Sequence, residues 1–176
     1  MSSQRTASID DETIRTLLRR AAPEVFRYLV RLTGGDQRLA EDLTQDACLA
    51  LVRTLRRPDA DPVATYDTGW LIVVARRRFL DHLRNTQREQ RRIELATVDG
   101  QTEVEPDWSA VEGSGALALL AELPADQRTA LVLRYVDDLT VPAVAELLDR
   151  SVSATESLLA RGRRALAALV EGVNHV

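Results

Sequence analysis

Apolar residues recur every three or four positions along most of this sequence, which is the spacing of a helix with one buried face. The clearest run is formed by residues four positions apart: Leu39, Leu43, Ala47, Leu51 and Leu55. No segment alternates apolar and polar residues as a half-buried strand would, and the helix-favouring residues Ala, Leu, Arg and Glu are frequent. The sequence therefore predicts an all-α protein.

A segment without arginine, residues 96–125, interrupts the helical pattern. It holds six acidic residues, whereas residues 1–95 hold 17 Arg and 14 acidic residues. A long surface loop within one domain is the alternative, but loops above about 12–15 residues are uncommon in compact domains. We predict two small helical domains, 10–95 and 116–172, joined by a flexible acidic linker at 96–115.

Capping and helix-breaking residues set the predicted boundaries. In the first domain we expect helices over 11–32, with a kink or restart at Pro23 and an end at Gly34-Gly35, over 37–56 and over 68–92. In the second we expect helices over 125–136, over 140–148 with Thr140 as the cap, and from Ser151 or Ser153 to 171. A short helix, a tight turn and a longer basic helix form a helix-turn-helix pattern, although helical hairpins that bind no DNA are also common.

Composition excludes several kinds of chemistry. All 23 basic residues are Arg, which excludes a lysine Schiff base and a P-loop lysine. A single cysteine, Cys48, excludes internal disulfides and is expected to be inert, and two histidines argue against a histidine metal centre. No apolar run approaches the roughly 20 residues that span a bilayer. We predict a cytoplasmic protein that is not an enzyme, has no cofactor or metal and inserts into no membrane.

Three surfaces are candidates for binding. Asp42, Gln45 and Asp46 share one helix face, which is either solvated or a docking surface for an Arg- or Lys-rich helix. A basic stripe suits a phosphate backbone, with a solvated face as the alternative. Its members are Arg77, Arg84, Arg88 and Arg91, and Arg76, Arg78 and Arg92 widen it. The last helix presents small and basic side chains to a DNA groove; these are Ser153, Glu156, Ser157, Ala160, Arg161 and Arg164.

Together these segments resemble an extracytoplasmic-function (ECF) sigma factor, a small two-domain subunit that directs bacterial RNA polymerase to promoters. Three stretches carry the resemblance: AEDLTQDACLALVRTL at 40–55, GWLIVVARRRFLDHLRNTQR at 69–88, and LPADQRTALVLRYVDDLTVPAVAELLDRSVSATESLLARGRRAL at 123–166. The first two look like sigma region 2 and the third like sigma region 4. The resemblance covers nearly the whole chain, from about residue 12 to 169.

The resemblance implies a role for each surface. Asp42, Gln45 and Asp46 would dock on the clamp helices of the polymerase β′ subunit, and region 4 would contact the β flap. Arg77, Arg84 and Arg88 would face the −10 element. The 58–68 loop, with Asp61 and Tyr66, would receive an unstacked −10 base. The final helix would contact the −35 duplex, and an anti-sigma factor is the expected regulator.

Four residues depart from the family pattern: Arg77 replaces a frequent Asn, Glu156 a basic residue, Ala143 a Glu and Gly162 an Ala. Glu156 would accept from a cytosine amino group and so change the −35 sequence. Gly162 would cost about 1 kcal/mol if that part of the helix is exposed. Two other functions stay open at this stage: a DNA-binding regulator without polymerase docking, and an anti-sigma or adaptor protein that never contacts DNA.

Overall fold

The computed structural model describes residues 10–57, 59–96 and 115–173, and over these ranges the all-α prediction is confirmed. The described helices are α1 (Asp11–Thr33), α2 (Gln37–Leu55), α3 (Thr68–Ala96), α4 (Gly115–Ala121), α5 (Ala125–Leu131), α6 (Val141–Leu147) and α7 (Val152–Val173). A 3-10 turn at Val63–Thr65 and a π-helical turn at Val132–Val136 complete the regular structure. None of these helices is long and apolar enough to cross a lipid bilayer.

The chain forms two compact units: unit 1 combines Met1–Leu29 with Arg38–His82, and unit 2 combines Val30–Gln37 with Leu83–Val176. The predicted linker at 96–115 lies outside the described residues except at its two ends. The predicted domain limits, 10–95 and 116–172, therefore stay predictions.

Unit 1 is built on apolar faces of α1, α2 and the first part of α3. The predicted four-residue repeat on α2 is buried at Leu43, Ala47, Leu51 and Leu55, whereas Leu39 is half-buried. On α3 the fully buried stripe is formed by Leu71, Ala75, Phe79 and Leu80. These side chains place the charged residues of the same helices at the surface, where the candidate sites lie.

Helix α1 runs without interruption through Pro23, so the restart is excluded from the predicted kink or restart. The helix ends as predicted at a glycine pair, with φ of 74° at Gly34 and 93° at Gly35. Gly35 N donates to Val30 O at 2.9 Å, a hydrogen bond typical of glycine C-terminal caps.

Unit 2 packs α4, α5 and α6 against α7. Its central cluster consists of Leu123, Ala130, Leu131, Leu158 and Leu159, with Leu166 and Leu169 partly buried against it. The sequence analysis missed the short helix α4, and the predicted helix over 125–136 is α-helical only to Leu131. In the π turn that follows, Val132 and Leu133 are buried while Tyr135 and Val136 are exposed.

The cost considered for Gly162 assumed an exposed part of the helix, and Gly162 does not lie in one. Gly162 is buried, and a Cβ at this position would lie 3.2 Å from Leu131 Cδ1. The glycine is therefore explained by the close approach of α7 to α5, and its helix-propensity cost is offset by that packing.

Candidate polymerase and promoter interfaces

The structure places Asp42, Gln45 and Asp46 on the exposed side of α2, opposite the buried residues Leu43 and Ala47. All three side chains can therefore reach a partner without disturbing the core. Their role in docking stays a prediction.

The sequence analysis missed Leu49 as part of this surface. Leu49 is 51% exposed, and it follows Asp42 by seven residues and Asp46 by three, so all three lie on one helix face. The sequence could have indicated that Leu49 is exposed, because Leu49 does not belong to the buried repeat of Leu43, Ala47 and Leu51. An exposed apolar residue one turn after two carboxylates on the same helix face can form the core of an interface with a charged rim.

The loop before α3 is ordered by two carboxylates. Arg57 donates to both oxygens of Asp59, at 3.1 and 2.9 Å, and these hydrogen bonds hold the pKa of Asp59 below its ordinary value. Asp67 caps α3, since its Oδ1 accepts from Trp70 N at 2.8 Å. The loop therefore has a fixed conformation at both ends.

Tyr66 and Asp61 differ in exposure within this loop. Asp61 is exposed, but Tyr66 is only 6% exposed and its ring meets Trp70 edge-on, with ring centroids 5.1 Å apart and an interplanar angle of 88°. Tyr66 is thus packed in the protein and presents only an edge of its ring to a ligand. Asp61 is exposed and can contact a ligand directly.

A pocket of about 580 Å³ lies between this loop and the start of α1. The loop contributes Val63, Ala64, Tyr66 and Asp67 to its lining, and α1 with the residue before it contributes Asp10, Glu12, Thr13, Thr16, Leu17 and Arg20. The resemblance had indicated only the loop side, and the α1 side was missed because the two segments are about 50 residues apart in sequence. Its lining combines apolar and polar side chains, which is the combination that a pocket for an unstacked base requires.

The basic residues of α3 have different surroundings. Arg77 and Arg88 are exposed, as predicted for a phosphate-binding stripe. Arg84 is half-buried, and its Nη2 donates to Leu147 O at 2.7 Å, at the end of α6. The sequence could not show this contact because the two residues are 63 positions apart.

The helix-turn-helix is held by local caps. The Thr140 side chain accepts from Ala143 N at 3.4 Å and caps α6, as predicted. Asp149 adopts a φ of 53° in the turn, and Ser151 Oγ accepts from Ala154 N at 3.2 Å at the start of α7. Of the two predicted caps for the last helix, the structure selects Ser151.

The predicted −35 face of α7 lies opposite its apolar side. Exposed members of the face are Ser153, Glu156, Ser157, Arg161 and Arg164, and Ala160 is half-buried. Leu158 and Leu159 anchor the opposite side in the unit 2 core. The helix therefore presents small polar groups near its start and guanidinium groups one to two turns later.

Tyr135 and Arg163 form a polar pair beside this face that the sequence analysis did not single out. Arg163 Nη1 donates to Tyr135 Oη at 2.9 Å, and the Arg134 guanidinium lies 5.4 Å from the centre of the Tyr135 ring. Tyr135 is exposed because the π turn rotates it away from the core.

Arg128 is a buried cation in unit 2 that the sequence analysis quoted only as part of a motif. It is 9% exposed, and burial lowers the pKa of its guanidinium. Its acceptors in the described residues are five backbone carbonyl oxygens, those of Leu32, Thr33, Leu120, Ala121 and Leu123. Carbonyls at helix C-termini carry partial negative charge, which stabilises the buried cation.

No group of three or more His, Cys, Asp and Glu side chains within the described ranges is arranged to hold a metal ion. The binding chemistry of these surfaces is that of exposed carboxylates on α2 and of guanidinium and hydroxyl groups on α3 and α7. Such groups bind a basic protein surface in the first case and nucleic acid in the second.

Two family profiles match this chain. Sigma-70 region 2 matches residues 17–89, and Sigma-70, region 4 matches residues 116–166. The chain is 31% identical over 154 residues to the ECF RNA polymerase sigma factor SigM of Bacillus subtilis, covering 86% of this chain and 91% of that protein. It therefore belongs to the sigma-70 family, the initiation factors of bacterial RNA polymerase, and within that family to the ECF sigma factors.

Further relatives agree with this assignment. The ECF RNA polymerase sigma factor BldN of Streptomyces coelicolor is 30% identical over 154 residues, which cover 83% of this chain and 56% of BldN. This chain thus spans little more than half the length of BldN. Among solved structures, the sigma factor RpoE of Bartonella quintana, in complex with the anti-sigma factor NepR, has the same fold, with a TM-score of 0.51 and 20% identity over 91% of this chain and 98% of that one.

Proposed function

We propose that this protein binds core RNA polymerase, directs it to a specific set of promoters and is not itself an enzyme. The observation that carries the proposal is the presence, in one chain of this family, of an exposed acidic face on α2 and an exposed polar face on a capped helix-turn-helix. A DNA-binding regulator without polymerase docking would not need the acidic face on α2. An adaptor that never contacts DNA would not need the polar face on the helix-turn-helix.

Docking would use Asp42, Gln45 and Asp46, with Leu49 at the centre of the contact. The partners are the β′ clamp helices for this face and the β flap for residues 116–172. The predicted linker, 96–115, would connect the two regions across the polymerase. The site of action would be the bacterial cytoplasm, because the polymerase is there.

Promoter recognition would divide between the two regions. Ser153, Glu156, Ser157 and Ala160 would contact base edges of the −35 duplex, and Arg161 and Arg164 its phosphates. Arg77, Arg84 and Arg88 would contact the −10 strand. Melting would need no hydrolysis, because capture of an unstacked base in the pocket lined by Tyr66 offsets part of its unstacking cost of a few kcal/mol. Asp61, which is exposed on the same loop, would contact the captured strand.

An anti-sigma factor is the proposed regulator. The support is that RpoE, which shares this fold, was crystallised with the anti-sigma factor NepR. Glu156, which is exposed on the −35 face, is proposed to select a −35 sequence in which it accepts from a cytosine amino group.

The test is run-off transcription with core polymerase on promoters mapped after expression of this protein in cells. The variant Asp42→Ala/Asp46→Ala should lose most promoter-specific transcript and most affinity for core polymerase, because it removes two charges from the docking face. The control is Glu24→Ala, which removes an exposed carboxylate from the middle of α1, outside the lining of the pocket. Unchanged transcription and core binding in the α2 variant would refute the docking assignment.

A further inference from the structure

The turn between α6 and α7 sets the direction in which α7 leaves it, because α7 begins directly after the turn, at Val152. Within the turn Asp149 has a φ of 53°, and Arg150 N donates to Ala145 O at 3.0 Å. A positive φ at a residue other than glycine carries a conformational cost, which surrounding contacts have to offset. The side-chain contacts of this turn therefore matter for the position of α7.

An ion pair attaches the turn to α5. Arg150 Nη2 donates to Asp126 Oδ2, and Asp126 lies in the first turn of α5, 24 residues earlier in the chain. Each of the two side chains is only 31% exposed, so the pair is partly shielded from water and from salt. The ion pair of Arg134 with Asp138 is different, because it joins residues four positions apart and its carboxylate is 96% exposed.

The start of α7 has little apolar packing of its own. The first three residues of the helix have exposed side chains, and the first buried side chain is that of Thr155. The apolar core therefore holds α7 from its second turn onward. Ahead of that point the described side-chain contacts are the Ser151 cap and the ion pair of Arg150 with Asp126.

We propose that Asp126 and Arg150 are positioning residues for −35 recognition. Their ion pair fixes the first two turns of α7 and thereby the placement of Ser153, Glu156 and Ser157 against base edges. The proposal rests on the proposed function, since it assumes that these side chains contact the −35 duplex. Binding groups have to be held within about 0.5 Å of their productive geometry. Loss of the pair therefore lowers sequence discrimination more than general attraction to phosphates.

The test is Asp126→Asn in the full chain, assembled with core polymerase. Asn keeps one acceptor oxygen, which serves the hydrogen bond from Gln87 of α3, but it removes the charge that pairs with Arg150. Competition binding compares a mapped promoter with the same promoter after its −35 base pairs are scrambled. The ratio of the two affinities should fall about fivefold, the usual effect of losing one hydrogen bond. A change of charge alone would strengthen binding to both promoters and leave the ratio unchanged.

The matched control is Glu122→Gln, which makes the same change of charge at an exposed position just after α4 and should keep the wild-type ratio. Arg150→Gln should lower the ratio by the same factor as Asp126→Asn. The double variant should lower it no further, because both substitutions remove the same ion pair. Additive effects of the two substitutions would show that they do not act through each other, against the proposal.

Hydrogen exchange in the free protein separates positioning from general stability. The Thr155 amide, which donates to Ser151 O at 3.0 Å, should exchange faster in Asp126→Asn, whereas the amides of Leu158 and Leu159 should not change. Faster exchange along the whole of α7 would show that the pair stabilises the entire unit, and would overturn the positioning role.

The promoter comparison also distinguishes this proposal from the proposed function. A wild-type ratio in Asp126→Asn, with normal discrimination by the wild type, would overturn the positioning role alone. Failure of the wild-type holoenzyme to discriminate between the two promoters would refute the proposed −35 recognition, and the positioning role with it.

Discussion

Arg128 and Gly34 depend on each other at the scale of single residues. Arg128 donates to the carbonyls of Leu32 and Thr33, the last two residues of α1, so its guanidinium lies against the glycine that follows them. A Cβ at Gly34 would lie 2.3 Å from Arg128 Nη1 and 2.4 Å from Cζ. Only glycine combines the φ of 74° with this close approach.

Gly34→Ala should therefore lower the free energy of unfolding by about 1–3 kcal/mol, the usual cost of a non-glycine residue in a sparsely populated backbone region. Urea unfolding followed by circular dichroism measures the change. Gly69→Ala is the control, because Gly69 lies in the first turn of α3 and a Cβ there meets only the Asp67 side chain, at 3.2 Å or more. A Gly34→Ala protein as stable as the control would contradict this account of Arg128.

Cys48 provides a prediction about pH. The side chain is half-buried on α2, and burial raises the pKa of its thiol, so less thiolate is present at neutral pH than in an unfolded chain. Alkylation by iodoacetamide should be slower in the folded protein than in urea, and should accelerate as the pH rises above neutral. Mass spectrometry follows the reaction, and equal rates in the two states would show that the thiol is not protected.

The helices show what the sequence predicts well and what it does not. Spacing and caps predicted α2, α3 and α7 to within a few residues, because a one-sided apolar stripe and a capping Ser or Thr are local signals. Local signals did not show that α1 continues through Pro23. They also did not show that Gly162 is buried, because its burial depends on the packing of α7 against α5. The π turn at Val132–Val136 likewise has no local signal that distinguishes it from a continuing α-helix.

The candidate sites also have some features that the sequence predicts and others that it does not. Exposure of Asp42 and Ser157 followed from helical periodicity. Periodicity did not predict that Arg84 is half-buried or that α1 lines the pocket, because both depend on contacts between residues distant in sequence. Family resemblance supplied the roles, and the structure supplied the side chains that accompany them, such as Leu49.

Helix α2 leads to a prediction at its own scale. Leu49→Ser should weaken binding to core polymerase about five- to tenfold, because the loss of a desolvated apolar contact at an interface centre costs about 1 kcal/mol or more. Its effect on folding should be small, since the side chain is 51% exposed. Val73→Ser, a 52% exposed position on α3, is the control for core binding in the absence of DNA. Equal core affinity of the two variants would exclude Leu49 from the docking face.

For the whole molecule, the distribution of charge along the chain says more about DNA binding than the net charge does. The net charge of −4 argues against a nucleic-acid partner, yet residues 96–125 contain six acidic residues and no Arg, and α7 keeps three exposed arginines, Arg161, Arg163 and Arg164. Long-range attraction to DNA is thus confined to particular helices, and the acidic segments repel DNA from the remaining surface.

The salt dependence of DNA binding tests this distribution of charge. For holoenzyme on a −35 duplex, Arg161→Ala should weaken binding and reduce the slope of log K against log salt by about one, as expected when one phosphate contact is lost. Arg27→Ala, an exposed arginine on α1, should leave the slope unchanged. A wild-type slope for Arg161→Ala would refute its phosphate contact.

The carbonyl oxygens around Arg128 also determine which contacts of the protein persist at acidic pH. An ion pair is lost when its carboxylate takes up a proton, but none of the five acceptors described for Arg128 can be protonated at ordinary acidic pH. The joint that Arg128 makes between the end of α1, the end of α4 and the start of α5 is therefore an acid-tolerant one. Below about pH 4, where ordinary carboxylates take up protons, this joint would persist after contacts that depend on carboxylates had weakened.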